Sequence, residues 1–169
     1  MKDYKLPEDG LYAYQYPRAS VTADAVLFAN YGDPANFNLW GERRQWSHPR
    51  FSRAVSSLRP ICRTRRAFPG GFLEMDETVA RCAERELEEE TGIVLTGMQL
   101  VGIYSDVERD PRGRVITAAY AAMTTMPEAT AADDAAAAQW WPLNALPKLA
   151  FDHDKILADA MKVLKIEIN

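Results

Sequence analysis

GFLEMDETVARCAERELEEETGI, residues 71–93, decides how the rest of the chain is read. Its last third packs five glutamates into seven positions, Glu84 to Glu90. From Glu77 to Thr91 the residues are good helix formers, without Gly or Pro. Gly92 and Ile93 then supply a glycine for a left-handed cap and an apolar residue beyond it. The spacing predicts a helix that ends at Gly92. At about 100° per residue, Glu86, Glu89 and Glu90 share one face. Val79, Ala80, Ala83 and Leu87 form an adjoining apolar arc, while Arg81, Glu84 and Glu88 point away. Three acids therefore lie along the border of the buried stripe, where a cleft would run.

Helices favour cations at their C-terminal ends, so this placement opposes the dipole. Neighbouring like charges add a further cost of about a few tenths of a kcal/mol per pair. Arg85 offsets part of this through Glu89, one turn on. Crowded carboxylates take up protons or bind cations. Hard divalent ions such as Mg²⁺ take oxygen ligands, typically a few carboxylates with water and substrate phosphates. The plainer alternative, and the commoner one for a glutamate run of no special pattern, is a water-facing acidic helix.

The surroundings read as one mixed domain. A chain of 169 residues, 47% hydrophobic and 26% charged, suits a single globular unit with a real core. VTADAVLFA (21–29), MQLVGIYSDV (98–107) and GRVITAAYAAM (113–123) predict strands, the last two joined by the turn-forming ERDPRG. QWWPL predicts a short strand. LPKLAFDHDKILADAMKVLK predicts a closing amphipathic helix, with Ile156, Leu157, Ala160, Met161 and Leu164 at helical spacing. Helices between and after strands imply an α/β fold with layered architecture. The start, MKDYKLPEDG, lacks an apolar run, and nothing approaches about 18 consecutive apolar residues, so no signal peptide or membrane span is expected. Cys62 and Cys82 have no metal-like spacing, which suits a reduced, cytoplasmic interior.

Gly71, Glu77 and Arg85-Glu86-Leu87-x-Glu89-Glu90-x-Gly92-Ile93 match every specified position of the Nudix box, G-x5-E-x7-R-E-U-x-E-E-x-G-U with U apolar. The chain resembles the Nudix hydrolase family on these residues. AFPGG before the box, and SDVERDPRGRVITAAY, DDAAAAQWWPL and LAFDHD after it, resemble the branch that holds ADP-ribose pyrophosphatases and Nudix-related regulators of NAD metabolism. The resemblance implies a Nudix-type α/β/α sandwich with a mixed β-sheet, spanning 1–169 as one domain with an N-terminal extension over 1–19.

It also implies a hydrolase, dependent on Mg²⁺ with Mn²⁺ as a substitute, that cleaves the pyrophosphate linkage of a nucleoside diphosphate derivative. ADP-ribose, giving AMP and ribose 5-phosphate, is the leading substrate. A house-cleaning nucleoside triphosphate pyrophosphohydrolase is the runner-up, and a catalytically impaired ligand-binding domain is a third reading. On this resemblance Glu86, Glu89 and Glu90 hold the metal, with the Gly71 carbonyl as a further ligand. Arg85 orients the glutamates, and Glu77 braces the loop–helix junction or ligates the metal through water. The general base is either Glu86 or a later-loop carboxylate, Asp133 or Asp134; those two aspartates are otherwise candidates for supporting the site or contacting substrate, and a solvated alanine-rich loop is their bland reading. Arg112 is a candidate for a substrate phosphate or ribose, and otherwise an exposed turn residue. His153 and its predecessor Asp152 read as packing and N-cap residues. Trp140 and Trp141 are candidates for stacking on a base, although a strand tryptophan more often belongs to the core. A homodimer is expected from relatives of this type; a nucleic-acid partner is not. The regulators carry a DNA-binding winged helix after the Nudix domain, and no such module is expected here.

Residues 31–66 break the pattern, with eight arginines and no lysine against Asp33 and Glu42. They show neither sustained alternation nor a helical period, and no strand is predicted there. The local charge of +6 suits a basic loop gripping phosphates or RNA, a surface insertion without function, or a segment read in a shifted frame. In the last case the core would lose a strand.

Overall fold

The structure, a computed structural model, describes residues 16–30, 51–56, 66–125 and 139–166. Its strands are β1 (Ser20–Asn30), β2 (Phe51–Ser56), β3 (Gly70–Phe72), β4 (Gln99–Tyr104), β5 (Val115–Thr125) and β6 (Gln139–Pro142). The helices are α1 (Val79–Thr91), between β3 and β4, and α2 (His153–Val163), after a short 3-10 turn at Leu143–Ala145. The sheet runs β4-β5-β1-β2-β6, with β3 pairing to β1 off this path. β1 and β5 are parallel and in register from Ser20↔Val115 to Asn30↔Thr125, while the other pairs are antiparallel. This is the expected mixed sheet.

Period-two alternation divides β1 between two cores. Ala23, Ala25 and Leu27 join Cys82, Ala83 and Leu87 of α1 on one side. Val26 and Phe28 join Ile156, Leu157 and Ala160 of α2 on the other. Each fully buried Leu or Ile here contributes about 1.5–3 kcal/mol. The layers are therefore α1, sheet, α2, as the resemblance implied. The first turn of α1 is capped by Thr78, whose hydroxyl accepts from the Arg81 N–H at 3.3 Å. Its end is the left-handed Gly92 (φ 69°), whose N–H donates to the Glu88 carbonyl.

Three findings differ from the sequence reading. β2 lies inside the arginine-rich segment, where no strand was expected; it pairs with β1 on one side and β6 on the other. A six-residue strand with Arg53 at its middle carries little alternation of its own, and its two neighbours supply the pairing. β3 is only three residues long, too short for a periodic signal. Glu84 does not simply face solvent: its Oε1 accepts the Gly97 N–H at 2.9 Å and closes the loop that follows α1. Among the described residues, no helix is long and apolar enough to cross a membrane.

Candidate active site

Two consecutive glycines in β3 set the site. Successive residues of a strand face opposite ways. A Cβ on Gly71 would fall on the Glu86 carboxylate, and one on Gly70 would fall on Asp24 and the Ala23 carbonyl. The PGG stretch thus lets an acid from α1 and an acid from β1 approach the same strand from its two sides.

On the α1 side, one arginine gathers the glutamates. Arg85 Nη1 donates to Glu86 Oε1 at 2.9 Å and to Glu89 Oε2 at 3.0 Å. Arg85 Nε and Nη2 donate to the two oxygens of Glu77 at 3.1 and 2.7 Å. Nη2 also reaches the Phe72 carbonyl at 3.3 Å. A planar fork is needed for this set of contacts, and the ammonium of lysine lacks it. Glu77 Oε1 in turn accepts the Glu74 N–H at 3.0 Å, so it braces the loop before α1. The hydrogen bonds from Arg85, above all, hold the Glu77 carboxyl down at about 2. The guanidinium is pushed upward by the same pairing. Cys82, beneath this cluster, is buried, and burial raises its thiol to about 12. Its sulfur makes weak contacts with the Gly71 and Phe72 carbonyls at 3.8 and 3.6 Å.

Glu86 is nearly buried, Glu89 is exposed, and Glu90 is half-buried with its Oε2 enclosed. Among the described residues, no three His, Cys, Asp or Glu side chains surround a common ion position. Glu77, Glu86 and Glu89 gather around Arg85 instead. The donor set nevertheless fits a hard divalent ion: its charged members are all carboxylates, and Glu86 occupies space that only a glycine at position 71 leaves open.

On the α2 side lies a small hollow, partly open to solvent. Thr22, Asp24, Phe68, Gly70, Gly71 and Arg112 contribute to its walls. Arg112 pairs with Asp110, Nε to Oδ1 at 2.9 Å and Nη2 to Oδ2 at 2.6 Å. Its guanidinium carbon lies 5.6 Å from the Phe72 ring centroid and 5.2 Å from that of Phe151. The turn arginine is thus ordered at the mouth of the hollow. Burial pushes Asp110 up, but the bonds and charge of Arg112 together outweigh it and hold the acid below its ordinary range.

His153 lies in the wall as well, buried at the start of α2. Its Nδ1 accepts the Phe68 N–H at 3.1 Å, and its Nε2 lies 3.7 Å from Asp24 Oδ2. Its packing role is visible in the parallel stack on Phe68, centroids 5.2 Å apart. Asp152 stands at the N-cap position without making a side-chain cap. Its carboxylate instead takes Arg109 Nε at 2.9 Å and Nη2 at 2.6 Å. Arg109 Nη1 donates to Thr117 Oγ1, also at 2.6 Å.

The two tryptophans keep to packing roles. Trp140 lies against the α1-side core, and Arg66 covers the ring of Trp141 at 5.4 Å. Asp133 and Asp134 lie outside the described residues. Sequence reasoning missed Thr22, Asp24, Arg109, Asp110 and Thr117. The signal for the first two was present in VTADAVLFA, where Thr22 and Asp24 occupy alternate positions of an otherwise apolar strand.

An α/β/α sandwich whose double glycine receives an arginine-knit glutamate helix defines the class. The NUDIX domain family profile matches residues 41–160, and the chain belongs to that family. A stretch of 96 residues is 48% identical to an ADP-ribose pyrophosphatase of Methanocaldococcus jannaschii, covering 57% of each chain. A second, 35% identical over 99 residues, matches the ADPR responsive transcriptional repressor NtrR of Acinetobacter baylyi, covering 56% of this chain and 40% of that protein. The chain thus spans about half the length of these curated relatives. Among solved structures, a MutT/nudix family protein from Enterococcus faecalis superposes with TM-score 0.71 at 25% identity, covering 93% of this chain and 66% of that one. The NUDIX domain of Shewanella oneidensis NrtR complexed with ADP ribose gives 0.67 at 24% identity, covering 88% and 90%; that likeness concerns the fold.

Proposed function

We propose that the chain is a Mg²⁺-dependent hydrolase that splits the diphosphate linkage of ADP-ribose, yielding AMP and ribose 5-phosphate. The observation that carries this reading is the Glu86 carboxylate set over Gly71, tied by Arg85 to Glu89, at the strand that also walls the hollow. The likeness to the M. jannaschii ADP-ribose pyrophosphatase supports the choice of substrate.

Glu86, Glu89, Glu90 and the Gly71 carbonyl are the residues that would hold the ion. When bound, a divalent ion neutralises diphosphate charge and makes an attached water more acidic. The chain's own residues do the positioning that phosphoryl chemistry chiefly requires. Arg85 ties Glu86, which lies over β3, to Glu89 and is itself fixed by Glu77. Glu86 is the candidate base for the attacking water, with Asp133 or Asp134 as the alternative. Water adds across the P–O–P bridge, one phosphate keeping the new oxygen and the other leaving with the bridge oxygen. Arg112, ordered at the mouth of the hollow, meets the substrate's anionic or sugar portion. A small-molecule nucleotide is thus the partner.

A second reading has its own support. No carboxylate trio is preassembled among the described residues, and one relative is an ADP-ribose-responsive repressor. That combination suits a domain that binds the ligand without cleaving it. A panel of ADP-ribose, NADH, nucleotide sugars, dinucleoside polyphosphates and nucleoside triphosphates, supplied with Mg²⁺ and scored by product, separates the readings. AMP with ribose 5-phosphate supports the hydrolase. Inorganic pyrophosphate from triphosphates alone moves the assignment to the house-cleaning class, and saturable binding without turnover favours the sensor.

A further inference from the structure

Three acids share one face of α1, yet they are held to very different degrees. Glu86 is enclosed over Gly71, its side chain 12% exposed. Glu90 is half-buried, with its Oε2 shut away from solvent. Glu89 is 58% exposed, and among the described residues its partner is Arg85.

Arg85 divides its N–H groups unevenly between its two ends. Nε and Nη2 grip both oxygens of Glu77, at 3.1 and 2.7 Å, and Nη2 also donates to the Phe72 carbonyl. Glu77 is 9% exposed, and the bonds from Arg85, above all, hold its carboxyl down at about 2. A bidentate fork on a nearly buried acid is the strong end of the arginine. Nη1, at the other end, is shared between Glu86 Oε1 at 2.9 Å and Glu89 Oε2 at 3.0 Å. The tie to Glu89 joins side chains one turn apart and faces water; such pairs are weak and easily screened. It is the contact of Arg85 that opens at least cost.

No three acids converge on a common ion position among the described residues, so a side chain must move for the trio to close. Glu86 is walled by β3 and the inner oxygen of Glu90 is enclosed. Glu89 turns about its own side-chain torsions, with no change in backbone. Resting on the hydrolase reading above, we infer that Glu89 is a parked ligand. Arg85 Nη1 holds it beside the site, and a swing of that one side chain onto the ion completes the trio. Arg85 itself stays on Glu77. An exposed acid near the C-terminal end of α1 is thereby paired with a cation both before and after the ion binds, which answers its unfavourable place in the helix dipole.

The test is a crystal structure of the full chain grown with Mn²⁺, the ion being located by its anomalous scattering. A Glu89 oxygen is expected on the ion, with Arg85 Nε still on Glu77. Glu89 should then lie more than about 4 Å from Arg85 Nη1, outside ion-pair range. An ion held while Glu89 keeps its 3.0 Å bond to Nη1 overturns the inference and leaves the ion-binding reading standing. So does an ion that draws Arg85 off Glu77. An α1 that takes up no Mn²⁺ overturns both. In solution, Glu89→Gln separates a ligand from a structural strut. Its Mn²⁺ affinity is expected to fall about tenfold or more. Its melting temperature in EDTA is expected to stay within about 1 °C of wild type, because the exposed pair carries little stability. Unchanged Mn²⁺ affinity in this variant overturns the inference.

Discussion

Glu86 lays its carboxylate in the space that a side chain on Gly71 would need. On the other side of the strand, a Cβ on Gly70 would stand 2.5 Å from the Ala23 carbonyl oxygen and 2.9 Å from the Asp24 Cα. The first obstacle is the end of a side chain and the second is backbone. Gly71→Ala is therefore expected to leave stability nearly unchanged while lowering kcat/KM by about a hundredfold through displacement of Glu86. Gly70→Ala is expected to destabilise by about 1–3 kcal/mol, as overpacking against an unyielding neighbour does. Thermal denaturation beside steady-state kinetics checks the contrast; equal effects on both quantities would count against it.

Arg109 is almost wholly buried, and its pair with Asp152 joins the β4–β5 turn to the start of α2. Removing one partner of such a pair strands the other, at about 3–5 kcal/mol. Arg109→Ala is expected to lower stability by that amount in urea titrations. A loss below about 0.5 kcal/mol would mean that the pair carries no structural weight.

Asp110 titrates below its ordinary 3.8 because Arg112 outweighs the effect of burial. A depressed folded-state value makes a contribution that is complete above about pH 4 and lost as pH falls through the folded value. Asp110→Asn is thus expected to be less stable than wild type at pH 7, with the deficit shrinking toward pH 3. Denaturant midpoints measured across that range check the sign, and a deficit that grows on acidification contradicts it.

Cys82 combines full burial with a thiol raised to about 12, so little thiolate forms near neutrality. In a Cys62→Ser background, iodoacetamide at pH 8 is expected to label Cys82 only after unfolding. Rapid labelling of native protein, followed by mass spectrometry, would show that α1 opens readily.

The glutamate helix was legible because its signal is local. Period, cap and spacing all fall within 23 residues, and the structure keeps each. β1, β4, β5, β6 and α2 were legible for the same reason. The hollow was not, because its walls come from four distant stretches: Thr22 and Asp24, Phe68 to Phe72, Arg109 to Thr117, and Phe151 to His153. No window of sequence contains that convergence. Asp152 shows the same limit, since a residue at a helix start reads as a cap until the sheet brings Arg109 to it. β2 was hidden because a short strand is specified by its neighbours.

The proposed function requires Glu86, Glu89 and Glu90 together to hold a divalent ion against the substrate's paired phosphates. Manganese binding followed by electron paramagnetic resonance, with a non-hydrolysable methylene analogue of ADP-ribose present, tests it most directly. Wild-type protein is expected to immobilise Mn²⁺, and Glu86→Gln, Glu89→Gln and Glu90→Gln each to weaken that binding about tenfold or more. Unchanged Mn²⁺ affinity in all three variants would show that these glutamates do not hold the ion.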